Sequence, residues 1–270
     1  MPNILGVKYI TNNIKSKNMI PKVIHYCWFG RKPLPEFAQK CIASWRKFLP
    51  DYEIKEWNED NFDVNMVPYT AEAYKCKKYA FVSDFARFWI LYNYGGIYFD
   101  TDVEVIRPID DIIANGAFMG VETPIKKKGD ILTVAPGLGL GAVPNMDFYQ
   151  LLLSYYNKLH FIDKNGNLLQ TTVVQHTTSI LQKAGLKSIN EIQKVAGIWI
   201  YPAEYFNPIN ITTKHIHIRK NTRTIHHYTA TWVDDRERRK RIRKIMKIIP
   251  EPILLIYHEL KHGILKYKKS

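Results

Sequence analysis

The 270-residue chain reads as an α/β protein, with helices packed on both faces of a mostly parallel sheet. Three observations predict this. Short apolar, β-prone runs recur along the chain, and stretches of helical period separate them. Hydrophobic residues make up 46% of the sequence, enough for a sizeable core. The sequence has no internal repeat and no low-complexity segment.

Each element has a local reason. Lys22–Phe29 is apolar and bounded by Pro21 and Gly30, so it is the first strand. Leu34–Phe48 is a helix opened by Pro33 and Pro35. Tyr52–Trp57 is a second strand, and the polar run Asn58–Pro68 is a loop leading to a helical stretch near Ala71. Lys77–Asn93 is a helix in which Phe81, Phe85, Phe88, Trp89 and Tyr92 recur at steps of three and four, giving one apolar face. Gly95-Gly96 stops it, because glycine reaches backbone angles that other residues resist. Ile97-Tyr98-Phe99 is a short buried strand, and Val103–Ile106 is another that ends before Pro108. Ala117–Val121 and Leu138–Val143 are strands separated by the basic loop Lys126–Asp130. Asn145–Leu159 and Val174–Ala184 are helices, the second stopped by Gly185, and Ile198–Tyr201 is a strand.

Chemistry concentrates in the run Ser83-Asp84-Phe85-Ala86-Arg87, then Tyr94-Gly95-Gly96-Ile97-Tyr98-Phe99-Asp100-Thr101-Asp102. Asp84 and Arg87 stand at i and i+3 on one helix face, where they pair with each other or jointly grip a polyol. Asp100 and Asp102 are two apart, so an extended strand points both carboxylates the same way and turns Thr101 inward. Two carboxylates at a strand tip repel unless a cation sits between them. Mg²⁺ or Mn²⁺ suits such oxygens, and a diphosphate is the usual companion. In an α/β sheet, ligands bind beyond the carboxyl ends of the strands, where this pair is expected. These features point to a nucleotide-sugar transferase. Tyr98 either contacts the donor or packs. His226 and His227 are either metal ligands or imidazoles satisfied by backbone.

The chain resembles the DXD-containing sugar transferases of glycosyltransferase family 32, which include bacterial capsule and lipopolysaccharide enzymes and fungal Golgi mannosyltransferases. It is similar, more remotely, to the catalytic domain of the large glucosylating bacterial toxins. The resemblance spans Ile20 to Trp232 and rests on Ile20-Pro21-Lys22-Val23-Ile24-His25-Tyr26-Cys27-Trp28-Phe29-Gly30, on the central run, and on His226-His227-Tyr228-Thr229-Ala230-Thr231-Trp232. It implies a nucleotide-binding sandwich of the GT-A type and retention of anomeric configuration. It also implies a Mn²⁺ or Mg²⁺ ion held by Asp100, Asp102 and a third ligand. Counting back five from Trp232 gives His227 for that ligand, where the toxins have Glu. It implies that Trp28 stacks on the nucleobase, uracil in the toxins, that Asp84 and Arg87 bind donor hydroxyls, and that Thr231 and Trp232 close over the diphosphate as part of a lid. UDP-hexose is the expected donor, with GDP-mannose as the alternative. The expected acceptor is a surface polysaccharide or a lipid-linked glycan.

Composition bounds the rest. Cys27, Cys41 and Cys76 show no metal spacing, and an odd count points to reduced thiols that pack as small hydrophobes in a cytoplasm. There is no run of 18 uncharged apolar residues and no secretory pattern. Residues 1–18 read as an extension before Met19, which is itself compatible with a translation start, and residues 19–233 as the catalytic domain. The net charge is +14, and residues 234–270 hold 12 Lys+Arg against 5 Asp+Glu, so 12 − 5 = +7 lies in that tail. Ile242, Ile245, Met246 and Ile249, then Ile253, Ile256, Tyr257, Leu260 and Ile264, make it a basic amphipathic helical pair broken at Pro250 and Pro252. Such a tail either packs on the core or lies on an anionic membrane, and the second is expected, at the inner face of the cytoplasmic membrane. The concentration of half the excess positive charge in the tail, and the lack of any nucleic-acid-binding motif, argue against a nucleic-acid partner. A metal-dependent nucleotide-sugar hydrolase would use the same Asp pair.

Overall fold

The computed structural model describes residues 19–229, except Lys128, Gln170, Ile211, Thr212 and Lys214. The 1–18 extension, the 234–270 tail, Thr231 and Trp232 lie outside the described residues. The chain divides after Tyr228.

In chain order the elements are β1 (Val23–Cys27), α1 (Glu36–Phe48), β2 (Glu53–Trp57), α2 (Pro68–Lys75), α3 (Tyr79–Tyr94), β3 (Gly96–Tyr98), β4 (Val103–Val105), α4 (Asp110–Ile113), β5 (Phe118–Thr123), β6 (Thr133–Val134), β7 (Leu140–Ala142), α5 (Asp147–Tyr156), α6 (Val173–Lys183), β8 (Gln193–Val195), β9 (Ile198–Tyr201), α7 (Ala203–Phe206) and β10 (Thr224–His226). The main sheet has eight strands in the order β2-β1-β3-β7-β5-β9-β8, with β6 paired to β5. Strands β1, β2, β3, β5 and β9 run one way, while β6, β7 and β8 run the other. The expected mostly parallel α/β architecture is the one observed. A second sheet of two antiparallel strands joins β4 to β10.

Alternation along the strands feeds two cores, one on each face of the sheet. Cys27, Tyr98, Met119, Leu140 and Ile200 face a core built with α2, α3, α5 and α6. Ile24, Tyr26, Ile97, Phe99 and Phe118 face a second core built with α1, α4, α7 and β4. Helix α3 departs from its expectation. It buries Val82, Asp84, Phe85, Ala86, Arg87, Phe88, Ile90 and Leu91, while Phe81, Trp89 and Tyr92 are only partly covered. It is therefore buried almost all round, as a helix of mainly apolar sequence is when it lies between a sheet and other helices.

The turn after α3 needs glycine. Gly95 and Gly96 have φ of 65° and 94°, and a side-chain carbon on Gly96 would lie 2.7 Å from the Val23 carbonyl oxygen. Beside this turn, His25 is buried on β1. Its Nε2 lies 3.0 Å from the Gly95 carbonyl, and its Nδ1 accepts the indole N–H of Trp57 at 3.0 Å. That pattern fixes a neutral ring protonated at Nε2, and burial lowers its pKa to about 4. The thiols of Cys27 and Cys41 are pushed by burial up to about 12, and Cys76 is partly exposed, which fits packing roles for the first two.

His25 generates a pH dependence. Its folded pKa lies below the ordinary 6.5, so the unfolded chain takes up a proton that the folded chain refuses. The stability it contributes is fully present above pH 6.5 and falls as pH drops towards 4. Urea unfolding should show a loss on the order of 3 kcal/mol across that window that is absent in His25→Leu. Parallel pH profiles for the two proteins would contradict this reading.

Candidate active site

The site forms where α3, the β3–β4 turn and β10 meet. Strand β3 stops at Tyr98, and the Val103 N–H donates to the Asp100 carbonyl at 3.0 Å. Asp100, Thr101 and Asp102 thus lie in a tight turn and not on an extended strand. The sequence expectation of two carboxylates sharing one strand face is corrected: the turn, not the pleat, brings them together. Thr101 points inward as expected and is buried.

Arg87 is the hub. Its Nη2 lies 3.0 Å from Asp84 Oδ1 and 3.3 Å from Asp100 Oδ1, its Nε donates to the Ser83 carbonyl, and its guanidinium sits 4.9 Å over the Tyr98 ring. The Arg87 side chain is only 4% exposed, so the pair with Asp84 is a buried link and not a solvated surface contact. Tyr98, buried, donates its hydroxyl to Asp100 Oδ1 at 3.2 Å. The Tyr98 hydroxyl thus positions Asp100.

His226 completes the cluster. Strand β10 pairs His226 with Val103, which brings its Nε2 to 3.1 Å from Asp102 Oδ1 and 3.8 Å from Asp100 Oδ2. His227 does not join them. Its Nε2 lies 2.9 Å from Glu104 Oε2, and its ring meets Phe37 edge-on, because consecutive residues leave a strand on opposite sides. The count back from Trp232 is therefore off by one at the level of geometry: of the two histidines, the carboxylate pair receives His226.

Two further groups buttress His226. The Tyr228 ring packs edge-on against it at 4.1 Å from a left-handed backbone with φ of 50°, unusual for a bulky residue. Asn207 donates to the Tyr228 hydroxyl at 2.8 Å and to the Glu122 carbonyl at 3.0 Å. A third device is a lane of glycines. A side-chain carbon on Gly137 would overlap Asp100 Oδ2, one on Gly139 would crowd Phe99, and one on Gly141 would overlap Phe118. The Gly137 carbonyl also accepts the Asp100 N–H at 3.2 Å. None of these residues was singled out from sequence, though the period-two spacing of Gly137, Gly139 and Gly141 was a legible sign of close approach.

The electrostatics follow from burial and pairing. Burial raises Asp84 to about 7 against the pull of Arg87. Burial works against charge on Asp100 too, yet Arg87 and His226 hold its pKa below the ordinary carboxylate value. Burial also opposes charge on His226, but Asp100 and Asp102 raise it to about 9. Two carboxylates and an imidazole are a donor set suited to Mn²⁺, less so to Mg²⁺. Among the described residues no three His, Cys, Asp or Glu groups are already disposed around one point for a metal ion. The donors fit an ion in kind, and they now bond to one another.

Trp28 follows β1 and lines an open cavity of about 280 Å³ with Arg31, Lys32, Pro33, Glu56, Asn58, Glu59 and Asp60. Its indole N–H donates to the Lys32 carbonyl at 2.6 Å, which leaves the ring face as its remaining means of contact.

Comparison with known proteins identifies the family of the chain. Residues 35–119 match the family described as glycosyltransferase sugar-binding region containing DXD motif. An uncharacterized glycosyltransferase of Acanthamoeba polyphaga mimivirus is 30% identical over 202 residues, 72% of this chain and 75% of its own. The chain belongs to this DXD-containing glycosyltransferase family. It is also similar to a mannosyl phosphorylinositol ceramide synthase of Saccharomyces cerevisiae, 28% identical over 53% of this chain, and to inositol phosphoceramide mannosyltransferase 1 of Schizosaccharomyces pombe, 29% identical over 43%. The chain spans only 37% and 39% of the length of those two fungal relatives. Among solved structures it has a loose likeness, at a TM-score of 0.45 and 12% identity, to a glycosyltransferase involved in the glycosylation of the major capsid of PBCV-1, over 78% of this chain and 95% of that one.

Two outcomes are expected. Arg87→Met leaves Asp84 and Asp100 buried without their cation, and thermal or urea unfolding should show a loss on the order of 3–5 kcal/mol. An unchanged midpoint would mean that the carboxylates find another partner. Gly137→Ala should displace Asp100 from Arg87 and His226, so the unfolding midpoint should fall and calorimetric titration with Mn²⁺ should show weakened binding. Equal Mn²⁺ affinity in the two proteins would remove Gly137 from the site.

Proposed function

We propose that this protein is a metal-dependent, retaining glycosyltransferase that moves a hexose from a nucleotide sugar to a surface polysaccharide or lipid-linked glycan. The observation that carries this is the convergence of Asp84, Arg87, Asp100, Asp102 and His226 beyond the carboxyl end of β3. Asp102, Asp100 and His226 would hold a divalent ion, Mn²⁺ by preference. That ion, when bound, supplies positive charge to the departing diphosphate.

The chain's own residues do the rest. Arg87 keeps Asp100 charged and Asp84 oriented from below. Asp84, raised to about 7 by burial, accepts or donates hydrogen bonds to donor hydroxyls according to its protonation. Trp28 offers its ring face to the nucleobase beside the cavity. Thr231 and Trp232 keep the lid role that the resemblance gives them. No side chain is assigned as a base. The reacting sugar passes through an oxocarbenium-like state.

UDP-hexose is the donor suggested by Trp28, through the resemblance to the glucosylating toxins. A second reading, transfer of mannose from GDP-mannose, is favoured by the names of the fungal relatives. The site of action is proposed to be the inner face of the cytoplasmic membrane. Among the described residues no helix is long and apolar enough to cross a membrane.

The test is thermal stabilisation of the purified protein by UDP, GDP and CDP, each with Mn²⁺, Mg²⁺ or EDTA. A shift with one nucleotide, seen only with metal and lost in Asp102→Ala, is expected, and it names the donor class. The Asp102→Ala protein should also transfer no sugar. A wild-type shift in EDTA, or wild-type turnover in the variant, would overturn the metal assignment. Release of free sugar at the same rate with and without any acceptor would make the protein a nucleotide-sugar hydrolase.

A further inference from the structure

Beyond Asn207, the segment between α7 and β10 serves none of the roles above, yet it springs from the site and returns to it. Asn207, at its entry, buttresses Tyr228, and His226, just past its exit, meets Asp102. Between them the chain forms a hairpin. Ile209 and Ile216 are bridged antiparallel, Asn210 N–H donates to the His215 carbonyl at 2.8 Å, and His217 N–H donates to the Pro208 carbonyl at 2.9 Å.

Its base is tied down. Arg107 donates to the Arg219 and Thr222 carbonyls at 2.9 and 2.7 Å. The Asn221 side chain donates to Glu204, and the Arg223 N–H donates to the Tyr205 carbonyl at 2.7 Å. The outward part is bare: His215, Ile216, His217, Ile218, Arg219 and Lys220 are all exposed. Ile216 is 42% exposed and Ile218 54%. Alternation puts these two isoleucines on one side of the strand, while His215 and His217 share the other, their rings 6.3 Å apart. Over residues 209–220 the sequence has four Ile, three Lys+Arg and two His, and no Asp or Glu.

Ile216 and Ile218 form a small exposed apolar strip beside basic side chains. The charge pattern says what would cover it. Arg219 lies 3.5 Å from Glu204 at the base, but beyond that rim pair the segment carries positive charge only. We infer that this hairpin docks on an anionic membrane surface, with Ile216 and Ile218 entering the interface and Lys220 and Arg219 meeting lipid phosphates. A rigid base then holds the carboxylate cluster beside the bilayer, where a lipid-linked acceptor presents its head group. The docking stands apart from the identity of the donor and from the metal assignment.

The experiment is co-sedimentation of the full chain with vesicles of phosphatidylcholine alone and of an equimolar mixture with phosphatidylglycerol. The wild type should partition onto the anionic vesicles and not the neutral ones. Ile216→Ser combined with Ile218→Ser should lower that partition about tenfold, because two aliphatic side chains no longer enter the interface. Lys220→Glu should lower it less and weaken its salt dependence. Thermal midpoints should match the wild type, since the altered side chains are exposed. Equal partition of the double variant and the wild type, or no binding by either, overturns the inference. So does wild-type self-association that the double variant abolishes, which would make a second copy of the chain the occupant. Failure of the nucleotide shift with vesicle binding intact would fall on the catalytic reading alone.

Discussion

The guanidinium of Arg87 is the interaction on which the site depends. It is buried in the middle of a helix that is itself buried, where an unpaired cation would be expensive, and it is held by two carboxylates from different parts of the chain. Asp84 arrives on the same helix one turn earlier, and Asp100 arrives after β3, an inner strand of the sheet. Removing solvent from this triad makes its geometry strict, since each member has few alternatives. Tyr98 and the Gly137 carbonyl then fix Asp100 from two more directions. The Asp100–Asp102 turn is thus locked to the core.

Much of this was legible in the sequence because its cause is local. Elements longer than one turn announced themselves by period: α1, α3, α5 and α6 fall within a few residues of their expected spans, as do β1, β2 and β9. The helix, the Gly-Gly turn and the strand before Asp100 were readable because each step has its own signal. Short pieces were not. Strands β6, β8 and β10 have two or three residues each, too few for alternation to show, and they exist because a partner strand is waiting. The choice of His226 over His227 depends on the register of β10 against β4, which no local pattern reveals. The turn at Asp100–Asp102 likewise hides behind a sequence that reads equally well as strand.

The family match ends at residue 119, so it holds α3 and both aspartates but neither Gly137 nor His226. The site is therefore assembled from two kinds of material. One is a continuous segment whose order along the chain is also its order in space. The other is a set of distant returns, β7 and β10, that close over it. Relatives that share the first part can differ in the second while keeping the same carboxylates.

The glycines leading into β7 have a consequence for how such a protein can diverge. At Gly137, Gly139 and Gly141 the neighbouring side chains occupy the volume that any substituent would need, so these positions offer no graded variation, only presence or loss. A lineage exploring new substrates is thereby steered outward. The exposed surface around the site has room for other side chains, whereas the floor beneath the aspartates does not.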